Sequence, residues 1–423
     1  MALSAATEIA GDLGARTLLR LAEGGADSAV AGTVQRYAWL LLAATLVGMV
    51  VRRFNIPYAV ALVVGGLAIE ASHVGSVPVL EPDLLLFVFL PPLLFDAAFR
   101  IEASEVRSLL RPVLILAVPG VLLTAALVGS VLWAVLGLPV PVALLFGSIV
   151  AATDPVAVIG IFQELRVERR LSLIAEAESL VNDGMAITLY VVLLGWAVSG
   201  SFDAAESLAT FGLEVAGGLA IGGILGLASS RLTAFSDDHL IEMLLSVSVA
   251  YGSYLTADAV GASGALACVA AGFIHGSYGR EVGMSANTRR LLDDLWEFLG
   301  FVANALVFLL LGFSVHAGDL LADAWPVTVA VAAVLGARAL VTSLAGVLAP
   351  RRDDPVRSWQ EAALLTWGGL RGALTAALAL ALPPGTPHRE TLTAMAFGVV
   401  LFTLVVQGLT LPLLIRRLGL GRP

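Results

Sequence analysis

The stretch Ala175–Leu194, AEAESLVNDGMAITLYVVLL, has an apolar second half fit for a membrane helix, yet its first half carries Glu176, Glu178, Asn182 and Asp183. Whether it is a soluble helix or a span with charges inside it is settled by its surroundings. The 423-residue chain is 58% hydrophobic and 13% charged, with a mean hydropathy of +0.93, whereas about a quarter of the residues of soluble domains are charged. An integral membrane protein is therefore expected. Formal charge is −9, but most charges must lie in short loops and ends rather than on one broad face, so no nucleic-acid partner is expected. Cys268 is the single cysteine, which excludes an intrachain disulfide and a cysteine metal cluster. No cofactor is expected.

Working outward from this stretch, apolar runs of roughly 17–25 residues are long enough to cross a bilayer as helices. Thirteen candidate spans fall at 35–51, 56–71, 82–99, 112–136, 140–163, 171–199, 207–230, 239–257, 261–278, 293–316, 323–349, 359–382 and 392–415. Residues 1–34 read as an external lead-in, since their scattered acidic residues do not make the basic start and apolar core of a secretory signal. All 24 basic residues are arginine, and cytoplasmic loops are enriched in that residue. The loops after odd-numbered spans and the C-terminus hold 18 of them, the lead-in and the even-numbered loops 4. The expected topology puts the N-terminus outside and the C-terminus in the cytoplasm. The remaining two, Arg338 and Arg371, fall inside predicted spans.

An odd number of spans leaves room for two six-helix halves, spans 1–6 and 8–13, inverted relative to each other and joined by span 7. Transporters built this way interrupt helices at matching positions and place the substrate between them at mid-membrane. Span 5 carries SIVAATDPVAVIG, where Pro155 removes a backbone donor and disfavours helical geometry at Asp154. Span 12 carries TWGGLRGALTAAL, where Gly368, Gly369 and Gly372 flank Arg371. Each is fifth in its half. The expected fold is thus all-α, with about 13 transmembrane helices in two inverted repeats and discontinuous crossing helices 5 and 12.

Ionisable groups inside a span are costly and mark cavities or partners. On span 6, Ser179 and Asp183 are four apart and share a face, while Glu178 and Asn182 form the neighbouring row. A carboxylate in a cavity with little water holds a proton more tightly, so one site can alternate between a proton and a small cation. Asp183 is the candidate carrier. Asp154, Ser179 and the Thr153 carbonyl are candidate oxygen ligands for a hard cation such as sodium where span 5 is interrupted. Glu178 is expected to pair with Arg338 across spans 6 and 11, with Asn182 hydrogen-bonded nearby. Arg371 is expected to neutralise carbonyl ends and carboxylates at the crossing of spans 5 and 12. Glu176, Glu70, Glu242 and Glu361 read as solvated helix-end charges. Asp96 reads as a cap or interface residue, His275 as an interface histidine, and Glu297 and Asn304 as groups that satisfy polar atoms inside the bundle.

At these residues the chain resembles the monovalent cation/proton antiporter family, in the sodium/proton exchanger branch that includes the bacterial NhaP-type proteins. The matching elements, in order, are FLPPLLFDAAF (Phe89–Phe99), ATDPVAV (Ala152–Val158), AESLVNDG (Ala177–Gly184), GALACVAAGF (Gly264–Phe273) and WGGLRGALTAAL (Trp367–Leu378). The resemblance implies exchange of a monovalent cation, sodium or lithium foremost, for protons across the cell membrane, serving pH homeostasis. It also implies a homodimer embedded in membrane lipid, with an elevator-like movement of a core domain against a dimer-forming domain. On this reading residues 35–99 and 239–316 are dimerisation helices, 112–199 and 323–416 core transport helices, and 207–230 the link. Asp183 becomes the shared cation and proton carrier, with Asp154, Ser179 and Thr153 completing the site and Asn182, Glu178, Arg338 and Arg371 organising it. Members with Asn-Asp at 182–183 are generally electroneutral. No long regulatory tail of the animal-exchanger kind is expected after the last span.

Two alternatives stand beside this reading. The same oxygen ligands suit a potassium/proton antiporter. In a different class, GASGA (Gly261–Ala265) matches the pattern around the nucleophile of rhomboid-type intramembrane serine proteases. Ser263 would then need a histidine base, and His275 lies about 18 Å along the same helix at 1.5 Å per residue.

Overall fold

The computed structural model describes residues 26–51, 57–71, 81–107, 109–235, 238–315, 317–348 and 358–421, and these are helices and short connections without a strand. Arg16, Arg20, Arg52, Arg53, Arg351, Arg352, Arg357 and Arg422 lie outside the described residues, as does the lead-in up to residue 25. We number the apolar segments in chain order. They are α1 (Ala26–Val51), α2 (Tyr58–Ala71), α3 (Pro82–Arg100), α4 (Leu110–Leu136), α5a (Val140–Ile149), α5b (Val156–Glu164), α6 (Arg169–Ser199) and α7 (Ala204–Thr233). They continue with α8 (His239–Ala259), α9 (Gly264–Ile274), α10 (Ala286–Ser314), α11 (Ala324–Leu348), α12a (Trp359–Trp367), α12b (Ala373–Leu380) and α13 (Arg389–Leu418).

These segments fall on the apolar runs of the sequence because a helix is the only single-segment conformation that satisfies its own backbone in lipid. Among the described residues, eight helices are long and apolar enough to cross a membrane: α3, α4, α6, α7, α8, α10, α11 and α13. Two boundaries differ from expectation. α1 begins at Ala26, inside the stretch read as an external lead-in, and the helix carrying Asn304 begins at Ala286 rather than at residue 293. In both cases polar residues extend a helix past its apolar run, which hydropathy does not register.

The interior packs around small residues. A Cβ added at Gly222 of α7 would overlap the backbone of Ala267 in α9, so these two helices meet backbone to backbone, as lipid-embedded interfaces with small residues do. On the outer faces of α7 and α8, Leu208, Leu213, Ile224, Leu240 and Leu244 are exposed, the surface that a bilayer rather than water would solvate. α6 runs through the middle of the assembly against α5a, α4, α9, α3 and α12b. Its 31 residues make it about 46 Å long at 1.5 Å per residue. Asp183 lies close to its midpoint, far from both ends.

Candidate functional site

Two interrupted helices cross beside the middle of α6. Pro155 has no N–H to give a helix and pushes the preceding residue out of helical geometry, so α5a stops at Ile149 and α5b restarts at Val156. The glycines of span 12 interrupt α12 between Trp367 and Ala373. The Asp154 amide donates to the Leu370 carbonyl at 2.8 Å, so one break satisfies part of the other's backbone.

Arg371 is 1% exposed and donates from Nη1 to the carbonyls of Ala151 and Ala152 at 2.8 and 2.7 Å. These carbonyls follow the C-terminal end of α5a, where the helix dipole concentrates partial negative charge. Its backbone amide donates to Thr403 Oγ1 at 3.0 Å, in a π-helical turn of α13 (Thr403–Gln407). Asp154 does the reverse job at the N-terminal ends. Its Oδ1 accepts from the Val156 amide at 2.9 Å at the start of α5b, and its carboxylate lies against Gly372 at the start of α12b. Gly372 makes this approach possible, because a Cβ there would collide with the Asp154 carboxylate.

The two polar rows of α6 go separate ways. The Ser179 hydroxyl donates to the Thr153 carbonyl in a short hydrogen bond. Asn182 Nδ2 donates to Thr153 Oγ1 at 2.7 Å and its Oδ1 accepts from the Thr153 amide at 3.3 Å. Asn182 is thus tied to the break in α5, a correction to its expected place beside the Glu178–Arg338 pair. Glu178, 1% exposed, pairs with Arg338 of α11 through both carboxylate oxygens. Arg338 Nε also donates to the Leu365 carbonyl in the last turn of α12a at 3.3 Å. A buried arginine thereby links α6, α11 and α12a instead of reaching towards an interface.

Asp183, Asp154, Ser179 and Thr153 line one cavity of about 60 Å³, together with Leu90 and Leu94 of α3 and Asn304 of α10. Asp183 Oδ1 is buried and without a hydrogen-bond partner. Glu178 and Arg338 face a separate space of about 10 Å³, with Thr153 and Asp154 between the two. The larger cavity offers two carboxylates with a hydroxyl and a carbonyl, a ligand set for a proton or a hard cation. Among the described residues, no group of three or more His, Cys, Asp or Glu side chains is placed to hold a metal ion.

Several other readings change. Glu361 is buried and pairs with Arg170 at 2.7 Å, and Glu242 is buried as well, so neither is a solvated helix end. His275 is buried with Nδ1 3.0 Å from Ser229 Oγ, not at an interface. Glu297 lies outside the bundle, 3.6 Å from Arg100, which also pairs with Asp96 at 2.6 Å. Ser263 is the N-cap of α9 and accepts from the Leu266 amide at 3.4 Å. It is a helix cap at the opposite end of α9 from His275, which removes the basis for a serine nucleophile. Thr375, in GALTAAL, also lines the cavity. Nothing in the sequence singled it out beyond a hydroxyl just past a glycine-rich break.

The sequence model of the family described as sodium/hydrogen exchanger, transmembrane, matches residues 41–417. The Na(+)/H(+) antiporter ApNhaP of Aphanothece halophytica is 39% identical over 367 residues, 86% of this chain and 70% of that protein. The Na(+)/H(+) antiporter NhaP of Pseudomonas aeruginosa is 34% identical over 354 residues, 81% and 82% of the two chains. The structure of the sodium proton antiporter MjNhaP1 from Methanocaldococcus jannaschii superposes with a TM-score of 0.77 at 21% identity, covering 93% of this chain and all of the other, a likeness of fold. By the family match and by these relatives, this chain belongs to the sodium/hydrogen exchanger family.

Proposed function

We propose that the protein is a secondary antiporter that exchanges sodium, or lithium, for protons across the cell membrane, with Asp183 carrying both in turn. The observation that carries this reading is the unpartnered Asp183 Oδ1, facing an oxygen-lined cavity midway along α6 where two broken helices cross. A carboxylate left charged and unpartnered away from water is strongly disfavoured, so the site holds a cation or a proton whenever it is shut off from both sides. That coupling is what turns a binding site into an exchanger. Asp154, Ser179 and the Thr153 carbonyl supply further oxygens. Asn182, Glu178, Arg338 and Arg371 hold the two breaks and α6 in register.

The stoichiometry follows from the neighbours of Asp183. Glu178 is neutralised by Arg338, Asn182 carries no charge and Asp154 is engaged by the Val156 amide, so Asp183 alone is assigned the exchange of one cation for one proton and transport is read as electroneutral. Movement is assigned to a core of residues 112–199 and 323–416, sliding as an elevator against residues 35–99 and 239–316, with 207–230 as the link. The two halves are read as inverted repeats of about 13 crossings in total. The exposed apolar faces of α7 and α8 support embedding in lipid, the asymmetric arginines support an N-terminus outside and a C-terminus in the cytoplasm, and the assembly is read as a homodimer.

Proteoliposomes with an imposed pH gradient test the proposal. Added sodium or lithium should collapse the gradient, and Asp183→Asn should abolish the response while the purified protein keeps its elution profile and helicity. Collapse by potassium alone would replace sodium with potassium as the substrate. Full exchange in Asp183→Asn would remove the carrier assignment.

A further inference from the structure

The α12b side of the cavity lining holds a second buried polar atom without a partner. Thr375 of α12b is 1% exposed, its Oγ1 has no hydrogen-bond partner, and it lines the same cavity as Asp183. Threonines inside helices ordinarily donate to the carbonyl four residues earlier. Here Thr188 donates to Gly184 at 3.0 Å, Thr342 to Arg338 at 3.0 Å and Thr366 to Ala362 at 2.7 Å. For Thr375 that carbonyl belongs to Arg371, which lies in the non-helical break and is turned towards Thr403 Oγ1 at 3.4 Å. The break therefore strips this hydroxyl of its usual partner and leaves both its lone pairs and its proton free.

Three other polar residues on the wall are already engaged. Ser179 spends its proton on the Thr153 carbonyl, Thr153 Oγ1 accepts from Asn182, and Asp154 Oδ1 caps α5b. Two buried oxygens stay unmatched, Asp183 Oδ1 and Thr375 Oγ1, and their residues line the same space of about 60 Å³, room for a small cation with a few waters at most. Buried polar atoms without partners are rare in native proteins, and those that persist await a ligand, an ion or water.

We infer that Thr375 is a further ligand of the transported cation and helps to set its selectivity, the hydroxyl oxygen completing across the cavity the shell that Asp183 begins. The inference rests on the antiport reading and extends its ligand set from α5 and α6 to α12b. A cation held by both walls ties the two broken helices together. With a proton on Asp183 instead, the same hydroxyl accepts or relays a hydrogen bond. A neutral oxygen at fixed distance favours one ionic radius over another, so its loss changes the ranking of lithium, sodium and potassium as well as the affinity.

The test compares Thr375→Val, which keeps the shape and removes the oxygen, with Thr375→Ser, which keeps the oxygen. Exchange is measured in proteoliposomes against sodium, lithium and potassium, with Asp183→Asn and wild type alongside. Thr375→Val should raise the KM for sodium about tenfold, the scale of one lost buried contact, alter the ratio of KM values between the cations, and leave the maximal rate within about twofold. Thr375→Ser should return both readouts towards wild type. Thermal unfolding in detergent without sodium separates this from a structural role: Thr375→Val should be at least as stable as wild type, because an orphaned hydroxyl is replaced by a methyl, but should gain less stability on adding sodium. Unchanged KM and cation ranking in Thr375→Val, with wild type active and Asp183→Asn inactive, would overturn the inference and leave the antiport reading standing. Wild type inactive with every cation would instead overturn that reading.

Discussion

Removing one partner of the Glu178–Arg338 pair should be among the most damaging changes away from the cavity, and removing both among the mildest. Glu178 and Arg338 have side-chain exposures of 1% and 8% and are joined through both carboxylate oxygens. Breaking a buried pair from one side leaves an uncompensated charge at a cost of about 3–5 kcal/mol, whereas replacing both with apolar or neutral groups of similar volume is often close to neutral. The two single changes are not equivalent. Arg338→Met leaves a carboxyl that can shed its charge by taking up a proton, while Glu178→Gln leaves a guanidinium that cannot. Arg338→Met also removes the donor to the Leu365 carbonyl, worth about 1 kcal/mol. We therefore expect Glu178→Gln to lie near the upper end of that range and Arg338→Met near the lower end plus the lost hydrogen bond. The double variant should lose about 1 kcal/mol. Chemical denaturation of the purified protein in detergent, run as a double-mutant cycle, measures the coupling directly. Because the pair lies outside the carrier cavity, the double variant should also retain sodium-dependent collapse of a pH gradient. Additive single effects, or a double variant as unstable as the worse single, would refute the reasoning, since either result means the charges do not compensate each other.

Two further outcomes follow from the crossing and the charge count. Asp154→Ala should lose about 1 kcal/mol, the cap that its carboxylate places on the Val156 amide, and Asp154→Asn less than that, because the amide oxygen still accepts; equal losses in denaturation would show that the cap is not what the carboxylate supplies. Exchange should be insensitive to membrane potential, so clamping proteoliposomes with potassium and valinomycin at 0 or about −100 mV, where one moved charge is worth about 2.3 kcal/mol, should leave the rate unchanged, and a marked voltage dependence would require a second titrating group.

Much of this arrangement was legible in one dimension, for physical reasons that differ from element to element. Lipid forces backbone groups to pair within each segment, so the apolar runs and the helices coincide even where α5 and α12 break at Pro155 and at the glycines beside Arg371. Helical periodicity separates Ser179 and Asp183 from Glu178 and Asn182, because positions four apart share a face in every α-helix. An arginine in the middle of an apolar run, as at Arg338 and Arg371, states that a partner exists. Periodicity does not state which one.

Partners are decided by which helices meet, and there the tertiary structure is the sole source. Asn182 turns to the break in α5, where the Thr153 amide and hydroxyl present a matching donor and acceptor. Glu361 and His275 sit at boundaries in the sequence and are buried in the fold, since a helix end in sequence can still lie beneath other segments. Thr375 was invisible for the same reason: its hydroxyl is orphaned only because Arg371 leaves helical geometry to reach the carbonyls of Ala151 and Ala152, far away in sequence. By itself the sequence determined an all-helical membrane protein with two interrupted spans and a carboxylate, Asp183, at the middle of a third, because hydropathy, proline chemistry and helical period act locally. Only the packing decided which of its polar atoms are satisfied and which are left facing the cavity, because hydrogen-bond satisfaction depends on groups brought together from distant parts of the chain.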